Sequence, residues 1–496
     1  MLRCAKDDGF ARSRDRFEEL VGFLAGDGAA ELTHDELEDR LDSEGRELLR
    51  LLFQDHLDLR SGREEALDEV VGADGVVRRY NEAGHARILE TVFGKVTVTR
   101  MAYRRKGHAN LHPADGALNL PGERYSYGLR RLSAVEASRG SFDEAVEAVD
   151  RASGGHVPKR QAEQLARRAA VDFDSFYAQR RIDAAEPDDV LVISADGKGI
   201  VMLPGALRKA TADAATRSTP KLTSRLSKGE KRGRKRMAEV GAVYDVTPVA
   251  RNATDIIGDR GDKAEPPTAK NKWLTASVVE DTATVIASVF DEAERRDPNH
   301  QRTWVALVDG NNHQISRIQT EAAARGVELT VLVDVVHVLE YLWSAAWSFF
   351  AEGDTAAETW VAGKALSILE GNASTVAASI RRKATRRGLD APTRKNADTC
   401  ADYLLAKRDY LDYRLALNKG WPIATGVIEG ACRHLVKDRM DITGARWGLE
   451  GAEAVLQLRA LRTNGDFNRY WRFHLGMERQ RVHETRYHNA ALPLAA

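Results

Sequence analysis

One apolar stretch of the chain reads Val190-Leu191-Val192-Ile193-Ser194-Ala195-Asp196, and its last residue is an acid. A short apolar run rich in β-branched residues predicts a buried strand. A carboxylate at the end of such a strand leaves the core where the sheet meets solvent. The pattern recurs in Trp304-Val305-Ala306-Leu307-Val308, which Asp309 follows. The sequence therefore predicts two buried strands that each end in an acid.

A third acid, Glu429, lies in the helix-like stretch Thr425-Gly426-Val427-Ile428-Glu429-Gly430-Ala431-Cys432-Arg433. Buried strands rarely tolerate an ionised group without a partner, and acids at strand ends can share a pair of divalent cations. This pattern points to metal-dependent phosphoryl transfer. The chain also contains 74 Asp and Glu residues, so three acids in apolar surroundings can also arise without a function.

Composition limits the class of protein without identifying it. A chain of 496 residues predicts several domains, because single cores stop growing at roughly 250–300 residues. With 74 basic and 74 acidic residues, any nucleic-acid surface must come from local clustering. The cysteines Cys4, Cys400 and Cys432 are too scattered for a disulfide framework or a zinc quartet, which suits a reducing cytoplasm. The N-terminus has no apolar signal core and no segment is apolar enough to span a membrane, so we expect a cytoplasmic protein.

The first hundred residues change from helical to strand periodicity. Residues from about 12 to 66 have apolar side chains at helical spacing, with Thr33 as a candidate N-cap. From Ile88 the period becomes two, which predicts a β-hairpin with its tip at Phe93-Gly94-Lys95.

A helix-turn-helix pattern follows. Ser141 and Glu144 form a capping box that begins a helix to about Arg151, and Pro158 begins a longer helix to about Tyr177. The second helix carries groups that can contact phosphates or base edges: Lys159, Arg160, Gln161, Gln164, Arg167 and Arg168. The alternative is an ordinary helix with a solvated basic face.

Residues 206–236 form a basic stretch that predicts a flexible loop. Beside the Asp196 strand, such a loop could clamp a DNA backbone, with a cluster of cations at its end: Lys231, Arg232, Arg234, Lys235 and Arg236. The alternative is a solubilising insertion. Further along, the pattern predicts strands at 239–249, 273–279 and 329–333, helices at 282–296 and about 315–325, and a helical block at about 338–417.

Four ordered motifs resemble bacterial insertion-sequence transposases of the Kra-type (ISKra) family, which are related to Mutator-like transposases. The motifs are Ser194-Ala195-Asp196-Gly197-Lys198-Gly199, Leu307-Val308-Asp309-Gly310, Asp334-Val335-Val336-His337, and the segment from Gly426 to Met440 that contains Glu429. The likeness runs from about Leu89 to about Arg481 and includes Leu118-Asn119-Leu120-Pro121 and the segment from Ser141 to Val146.

The resemblance implies an α/β, RNase H-like catalytic domain: a mixed five-stranded sheet with helices, interrupted by an all-α insertion before the third acid. In that fold the first and fourth strands are neighbours, so Asp196 and Asp309 would lie side by side. The implied triad of catalytic residues and metal ligands is Asp196, Asp309 and Glu429, with two Mg²⁺ (or Mn²⁺) ions per site. Asp334 and His337 would support the site, although His337 could simply hydrogen-bond Asp334 or a backbone carbonyl.

Several assignments near the third acid have alternatives. Glu450 and Glu453 compete with Glu429 but lack a basic helix beside them. Arg433, His434 and Lys437 follow Glu429 and could neutralise phosphates, or could simply be solvated.

The implied activity is that of a DDE transposase, which binds terminal inverted repeats and target DNA, cleaves and joins strands, and works as a homo-oligomer, at least a dimer. The alternatives are a transposase-derived DNA-binding protein without catalysis and a structure-selective nuclease. The expected segments are a helical region at 1–80, hairpin and loop at 81–123, helix-turn-helix at 124–182, catalytic domain at 187–337, all-α insertion at 338–418, second catalytic part at 419–475 and a tail at 476–496. We expect no membrane partner and a nucleoid-associated location in a bacterium or archaeon.

Overall fold

The computed structural model describes residues 9–182, 186, 188–217, 222, 224, 225, 227, 233–258, 264–442 and 444–493. It divides into two compact units, one of residues 1–179 with 465–496 and the other of residues 180–464. Among the described residues, no helix combines the length and apolar character needed to cross a bilayer.

The first unit is mainly helical and contains a long β-hairpin. Its segments are α1 (Ala11–Leu24), α2 (Asp27–Ala30), α3 (His34–Gly62), β1 (Val70–Val71), β2 (Val77–Arg78), β3 (Tyr80–Thr91), β4 (Gly94–Arg104), α4 (Pro113–Ala117), α5 (Tyr127–Arg139), α6 (Phe142–Ala152), α7 (Lys159–Ala170), α8 (Phe173–Gln179) and a C-terminal helix, Phe467–Val482. The predicted cap at Thr33 is confirmed, because its hydroxyl accepts the Glu36 N–H and its own N–H donates to the Glu36 carboxylate.

The predicted hairpin is confirmed and is longer than the sequence indicated. β3 pairs with β4 from Tyr80 to Thr91, so the hairpin begins well before Ile88. Thr91 pairs with Gly94, which leaves Val92 and Phe93 as the turn.

The helix-turn-helix segment contains the four helices α5 to α8, and α5 packs against both α6 and α7. Helices α5, α6 and α7 enclose a core of Leu129, Val149, Val157, Ala162 and Leu165. The predicted capping box at Ser141 and Glu144 is present.

The second predicted helix does not run unbroken to Tyr177, since α7 ends at Ala170 and α8 begins at Phe173. The buried Asp172 between them accepts hydrogen bonds from His474 and Arg481 of the C-terminal helix. A tertiary contact therefore fixes this break.

The second unit is mixed α/β. Its segments are β5 (Val190–Met202), α9 (Lys209–Arg217), β6 (Arg234–Val246), α10 (Ala253–Ile256), β7 (Ala269–Ser277), α11 (Thr282–Arg296), β8 (Trp304–Val308), α12 (Asn312–Arg325), β9 (Leu329–Val333), α13 (Val335–Ala346), α14 (Thr355–Leu369), α15 (Ala373–Arg386), α16 (Ala391–Ala406), α17 (Tyr413–Asn418), α18 (Gly426–Ala431), α19 (Asp438–Met440) and α20 (Leu449–Thr463). The strands form one five-stranded sheet in the order β7-β6-β5-β8-β9. The pairs β7-β6 and β6-β5 are antiparallel, and β5-β8 and β8-β9 are parallel. The expectation that the strand of Asp196 adjoins the strand of Asp309 is confirmed.

The strand of Asp196 is longer than predicted. β5 does not end at Ala195, because β6 pairs with it along its whole length, from Val190 to Met202. The parallel neighbour β8 pairs only with residues 191–194 of β5. Asp196 therefore lies just beyond the parallel ladder, although the strand continues.

The prediction of a flexible basic loop at 206–236 is wrong at both ends. Residues 209–217 form α9, and Arg234, Lys235 and Arg236 belong to β6, which pairs with the end of β5. Lys231 and Arg232 lie outside the described residues.

The predicted helical block is observed as α13 to α17, and it belongs to the same compact unit as the sheet. After α18, residues Cys432–Lys437 form a π-helical turn that leads into α19. Such turns are rare and occur often at functional sites.

Candidate active site

Three acids follow the same position of three adjacent parallel strands. Leu307 of β8 pairs with Ser194 of β5 on one side and with Leu332 of β9 on the other. Two residues after each of these positions comes an acid: Asp196 within β5, Asp309 directly after β8 and Asp334 directly after β9. Neighbouring strands are about 4.8 Å apart, so this register aligns the three acids across one edge of the sheet. In sheets with parallel strands, ligands bind at this carboxyl edge.

Asp196 and Asp309 are half-buried. Asp196 accepts the Gly197 N–H on Oδ1 at 2.6 Å and the Cys432 thiol on Oδ2 at 3.2 Å. Asp309 accepts the Asn311 N–H on Oδ1 at 2.8 Å, and no described residue donates to its Oδ2. One oxygen of Asp309 is thus available to a ligand.

The residue after Asp309 has to be glycine. Gly310 has φ of +94°, and a Cβ there would lie 2.5 Å from the Tyr403 hydroxyl. The backbone conformation and the close approach of Tyr403 therefore both exclude a side chain.

Glu429 lies on α18 and is exposed. The Thr425 hydroxyl lies 3.5 Å from Glu429 Oε1, and no described residue donates to Oε2. Cys432, on the same helical segment, donates to Asp196, and α18 and the π-helical turn both pack against β5. The helix that carries the third acid is therefore attached to the strand that carries the first.

The Cys432 thiol is a suitable donor for this contact. Burial, and then the negative charge of Asp196, raise its pKa, so the thiol keeps its proton. A protonated thiol can donate to the Asp196 carboxylate without repelling it.

Asp334 is fully buried, with an exposed fraction of 0%. Its Oδ1 accepts the Val336 N–H at 2.8 Å, which caps α13, and its Oδ2 accepts both the N–H and the hydroxyl of Thr425. Because both oxygens are occupied by the protein, the geometry fits a structural support better than a metal ligand.

His337 does not hydrogen-bond Asp334. Its Nδ1 lies 2.8 Å from Glu340 Oε2. Burial alone would lower the pKa of His337, but the Glu340 hydrogen bond and the charges of Glu340, Asp309 and Asp334 raise it overall. His337 and Asp309 line a cavity of about 490 Å³, together with the stacked rings of Tyr341 and Tyr403, whose centroids are 3.9 Å apart.

Asp196, Asp309 and Glu429 differ from other acids of the second unit in the ion pairs that they form. The buried acids Asp245 and Glu292 form ion pairs with arginines, among them Arg296 and Arg302. Asp196, Asp309 and Glu429 form no ion pair with a described residue, although the charges of Lys407 and His337 act on Asp309 at longer range. Since half-buried carboxylates without a close partner are unfavourable, Asp196 and Asp309 suit a cationic ligand.

The oxygen donors of the three acids fit a divalent ion that keeps bound water. In the described part of the chain, no three His, Cys, Asp or Glu side chains are grouped closely enough to enclose a metal ion. Mg²⁺ commonly uses only one or two carboxylates and completes its shell with water. The free oxygens of Asp309 and Glu429, with the Asp196 carboxylate on the neighbouring strand, are donors of the type that Mg²⁺ or Mn²⁺ prefers.

The competing acids occupy different positions. Glu453 accepts the Val278 and Val279 N–H groups at 2.8 and 3.1 Å, so its carboxylate terminates β7. Glu450 is exposed in the first turn of α20.

The predicted DNA contacts of α7 fall into two groups. Lys159, Arg167 and Arg168 form ion pairs with Asp143, Glu163 and Glu123 respectively. Arg160 and Gln164 are exposed, and neither hydrogen-bonds to a described residue.

The predicted contacts of the second unit also differ from one another. Lys235 and Lys437 are exposed, Arg234 is half-buried, and Arg433 is exposed 3.9 Å from Asp438. Arg236 does not fit a DNA contact, because its guanidinium donates to the carbonyls of Ala206, Val278 and Val279.

Sequence reasoning missed three residues around the acids. Thr425 and Cys432 lie four residues before and three residues after Glu429, a spacing that places them on its helix face. Glu239 of β6 contributes to the charge around Asp196, and burial raises the pKa of its carboxyl. Its strand was predicted, but only the register brings it opposite Gly197.

Comparison with known proteins adds no assignment. No protein-family model matches the chain, and no curated protein matches it.

Proposed function

We propose that the chain is a DNA transposase of the Asp-Asp-Glu type, with an RNase H-like catalytic domain interrupted by the all-α insertion α13–α17. It binds the terminal inverted repeats of an insertion sequence, cleaves the DNA strands and joins them to a target. The supporting observation is the trio Asp196, Asp309 and Glu429. Asp196 and Asp309 lie at matching positions of two adjacent parallel strands, Glu429 lies on the helical segment that contacts Asp196 through Cys432, and none of the three forms an ion pair with a described residue.

The strand order supports the same proposal. Numbered within the second unit, the strands lie in the order 3-2-1-4-5, with Asp196 within strand 1 and Asp309 directly after the adjacent strand 4. This is the arrangement that the resemblance to insertion-sequence transposases implies.

Asp196 and Asp309 would hold two Mg²⁺ or Mn²⁺ ions together with Glu429. Bound divalent ions polarise a phosphate and lower the pKa of coordinated water. The chain's own contribution is positioning: the Cys432 thiol donates to Asp196, the Thr425 carbonyl accepts the Glu429 N–H, and Gly310 admits the Tyr403 hydroxyl beside Asp309. Arg433 and Lys437, both exposed after Glu429, would neutralise phosphates of the bound DNA.

Recognition of the DNA ends is assigned to the three-helix segment α5–α7. The supporting observation is that Arg160 and Gln164 are exposed on α7 and that their side chains make no hydrogen bond to a described residue. Arg and Gln are side chains that read guanine and adenine in the major groove. Cleavage at two ends and their joining to one target would require at least a dimer.

The test uses the full chain and the DNA that flanks its gene. Fragments of that DNA are incubated with the protein and Mg²⁺, and newly formed 3′ ends and joined products are sequenced. We expect cuts at the outer ends of a pair of inverted repeats and joining to other DNA. Binding to the repeats without any cut would favour a DNA-binding protein without catalysis, and cutting at branched structures without repeat preference would favour a nuclease.

A further inference from the structure

A basic face on α15 has no role in the proposed active site. Five of the eight residues 380–387 are Arg or Lys. Successive residues of an α-helix are about 100° apart, so four of these cations lie within an arc of about 140°. They form the α15 basic face: Arg382, Lys383 and Arg386 of the helix, and Arg387 at its C-cap. The fifth, Arg381, lies outside this arc and pairs with Asp402 of α16.

Aromatic rings contact two cations of this face. The Lys383 ammonium lies 5.0, 4.4 and 5.2 Å from the ring centroids of Phe349, Phe350 and Trp360. The Arg387 guanidinium lies 5.7 Å from the Phe350 centroid. Cation–π contacts hold these groups in place but do not neutralise them. Arg387 also donates one N–H to the Phe349 carbonyl. The cations therefore keep their charge, and Arg382 and Arg386 make no hydrogen bond to a described residue.

The face lacks acidic partners. None of its four cations forms an ion pair with an acid in the described part of the chain, whereas the nearby Arg394 pairs with Asp398. Arg382 and Arg386, like Lys383 and Arg387, are like charges four residues apart, an arrangement that destabilises a helix. Burial, and then the charges of Arg387 and Lys364, lower the pKa of Lys383. The protein thus maintains a repulsive cluster of cations, which suits an anionic partner.

We propose that the α15 basic face binds the phosphate backbone of the double-stranded target DNA. Residues four apart on a helix are separated by about 6 Å along its axis, and a duplex presents one phosphate charge per about 1.7 Å. Two parallel N–H groups of one arginine can donate to two oxygens of one phosphate. Contacts of this kind position DNA without reading its bases. A transposase requires such a hold on target DNA, so the identity of the duplex, but not the binding itself, rests on the proposed function.

The test measures binding of the full chain to a fluorescent duplex of arbitrary sequence, without divalent ions, from about 50 to 200 mM salt. Arg382→Gln/Arg386→Gln should reduce the slope of log K against log salt by about 1.8, or 0.9 for each lost contact. Arg382→Lys/Arg386→Lys should keep the slope of the unmodified protein. Both positions are exposed, so the variants should fold, and thermal unfolding checks this.

A matched control removes two cations that are already paired. Arg394→Gln/Arg408→Gln causes the same loss of charge in the same helical block, but these arginines pair with Asp398 and Asp409. This control should leave the salt slope unchanged. An equal change in both double variants would reduce the effect to bulk charge and overturn the proposal.

Two further outcomes would also overturn it. One is an unchanged slope in Arg382→Gln/Arg386→Gln. The other is an Arg382→Gln/Arg386→Gln variant that loses a binding of polyglutamate shown by the unmodified protein but still binds the duplex. That result would assign the face to an acidic protein. The binding assay needs no cleavage, so its result is separate from a test of the active site. Retained cleavage by Asp196→Asn would refute the proposed active site and would leave this binding result unchanged.

Discussion

Thr425 donates both its backbone N–H and its hydroxyl to one carboxylate oxygen of Asp334. The other oxygen of Asp334 caps α13 through the Val336 N–H. One buried carboxylate thus joins the start of α13 to the start of α18, and Thr425 links it to Glu429 because the Thr425 carbonyl accepts the Glu429 N–H at 3.0 Å. We infer that Asp334 positions the third acid from beneath the site.

Asp334→Asn should therefore destabilise the protein and reduce cleavage together. An amide presents one acceptor oxygen where the carboxylate presents two, so a buried donor loses its partner, at a cost of about 1–3 kcal/mol. Urea unfolding measures the loss. Thr425→Ser keeps the hydroxyl and should resemble the unmodified protein, whereas Thr425→Val should resemble Asp334→Asn. Unchanged stability in both Asp334→Asn and Thr425→Val would contradict this positioning role.

Asp196→Asn and Asp309→Asn should each lower the cleavage rate at least about a hundredfold, which is about 2.7 kcal/mol of barrier. Each change removes a negative charge at nearly constant shape, so binding to the DNA ends should persist. The matched control is Asp245→Asn, an acid of the same sheet that pairs with Arg296 and Arg302. That variant should lose stability but keep the cleavage rate per folded molecule. Cleavage near the unmodified rate by Asp196→Asn in Mg²⁺ would exclude the assignment.

Glu429→Gln should be as inactive as the aspartate variants, because it removes the third carboxylate. Glu453→Gln should mainly lower the unfolding temperature, since Glu453 accepts two N–H groups at the end of β7. Glu450→Gln should retain activity. Cleavage assays and thermal unfolding on the three variants separate the roles. An inactive but stable Glu450→Gln would move the third ligand to α20.

Arg160→Ala/Gln164→Ala should weaken binding to the terminal repeats. A lost base contact costs about 1–3 kcal/mol and relaxes one position, and a lost phosphate contact lowers the salt slope by about 1. Arg167→Ala should have a smaller effect, because Arg167 already pairs with Glu163. Arg151→Ala, an exposed cation on α6, serves as a control. Fluorescence anisotropy with matched and mutated repeats measures the affinity. Unchanged affinity and sequence specificity in the double variant would move recognition away from α7.

The His337 imidazolium should stabilise the fold only at lower pH. Its folded-state pKa is raised above the ordinary value of 6.5, with the Glu340 hydrogen bond as the main stabilising cause against burial. A raised folded pKa means that the contribution is complete below about pH 6.5 and is lost as the pH rises through the folded value. His337→Gln should therefore lower the unfolding temperature more at about pH 6 than at about pH 8.5. Unfolding temperatures measured in EDTA at both pH values check this. Glu340→Gln is the control and should lose the same pH dependence. An equal effect of His337→Gln at both pH values would contradict it.

Short apolar runs with clear boundaries were predictable from sequence. β8, β9 and α11 have the predicted bounds, and α11 begins behind Asp281, whose side chain accepts the Thr284 N–H. The continuation of β5 past Asp196 was not predictable, because Gly197 and Gly199 have low strand propensity and their pairing comes from β6.

Contacts between distant residues account for most of what the sequence did not reveal. Asp172 interrupts the second helix through partners about 300 residues away. The order of the acids along the chain was visible, but their alignment depends on the register of three strands. The hydrogen bond from Cys432 to Asp196 joins residues 236 positions apart, and no local pattern predicts it.

The π-helical turn after Glu429 changes the rotational phase of its helix. A turn closed by i→i+5 hydrogen bonds contains one residue more than an α-helical turn, so the residues after it are rotated by about 100° relative to a continuous α-helix. Arg439 and Met440, just beyond the turn, are buried, while Glu429 before it is exposed. The extra residue lets one continuous segment leave Glu429 exposed and still bury the side chains that follow.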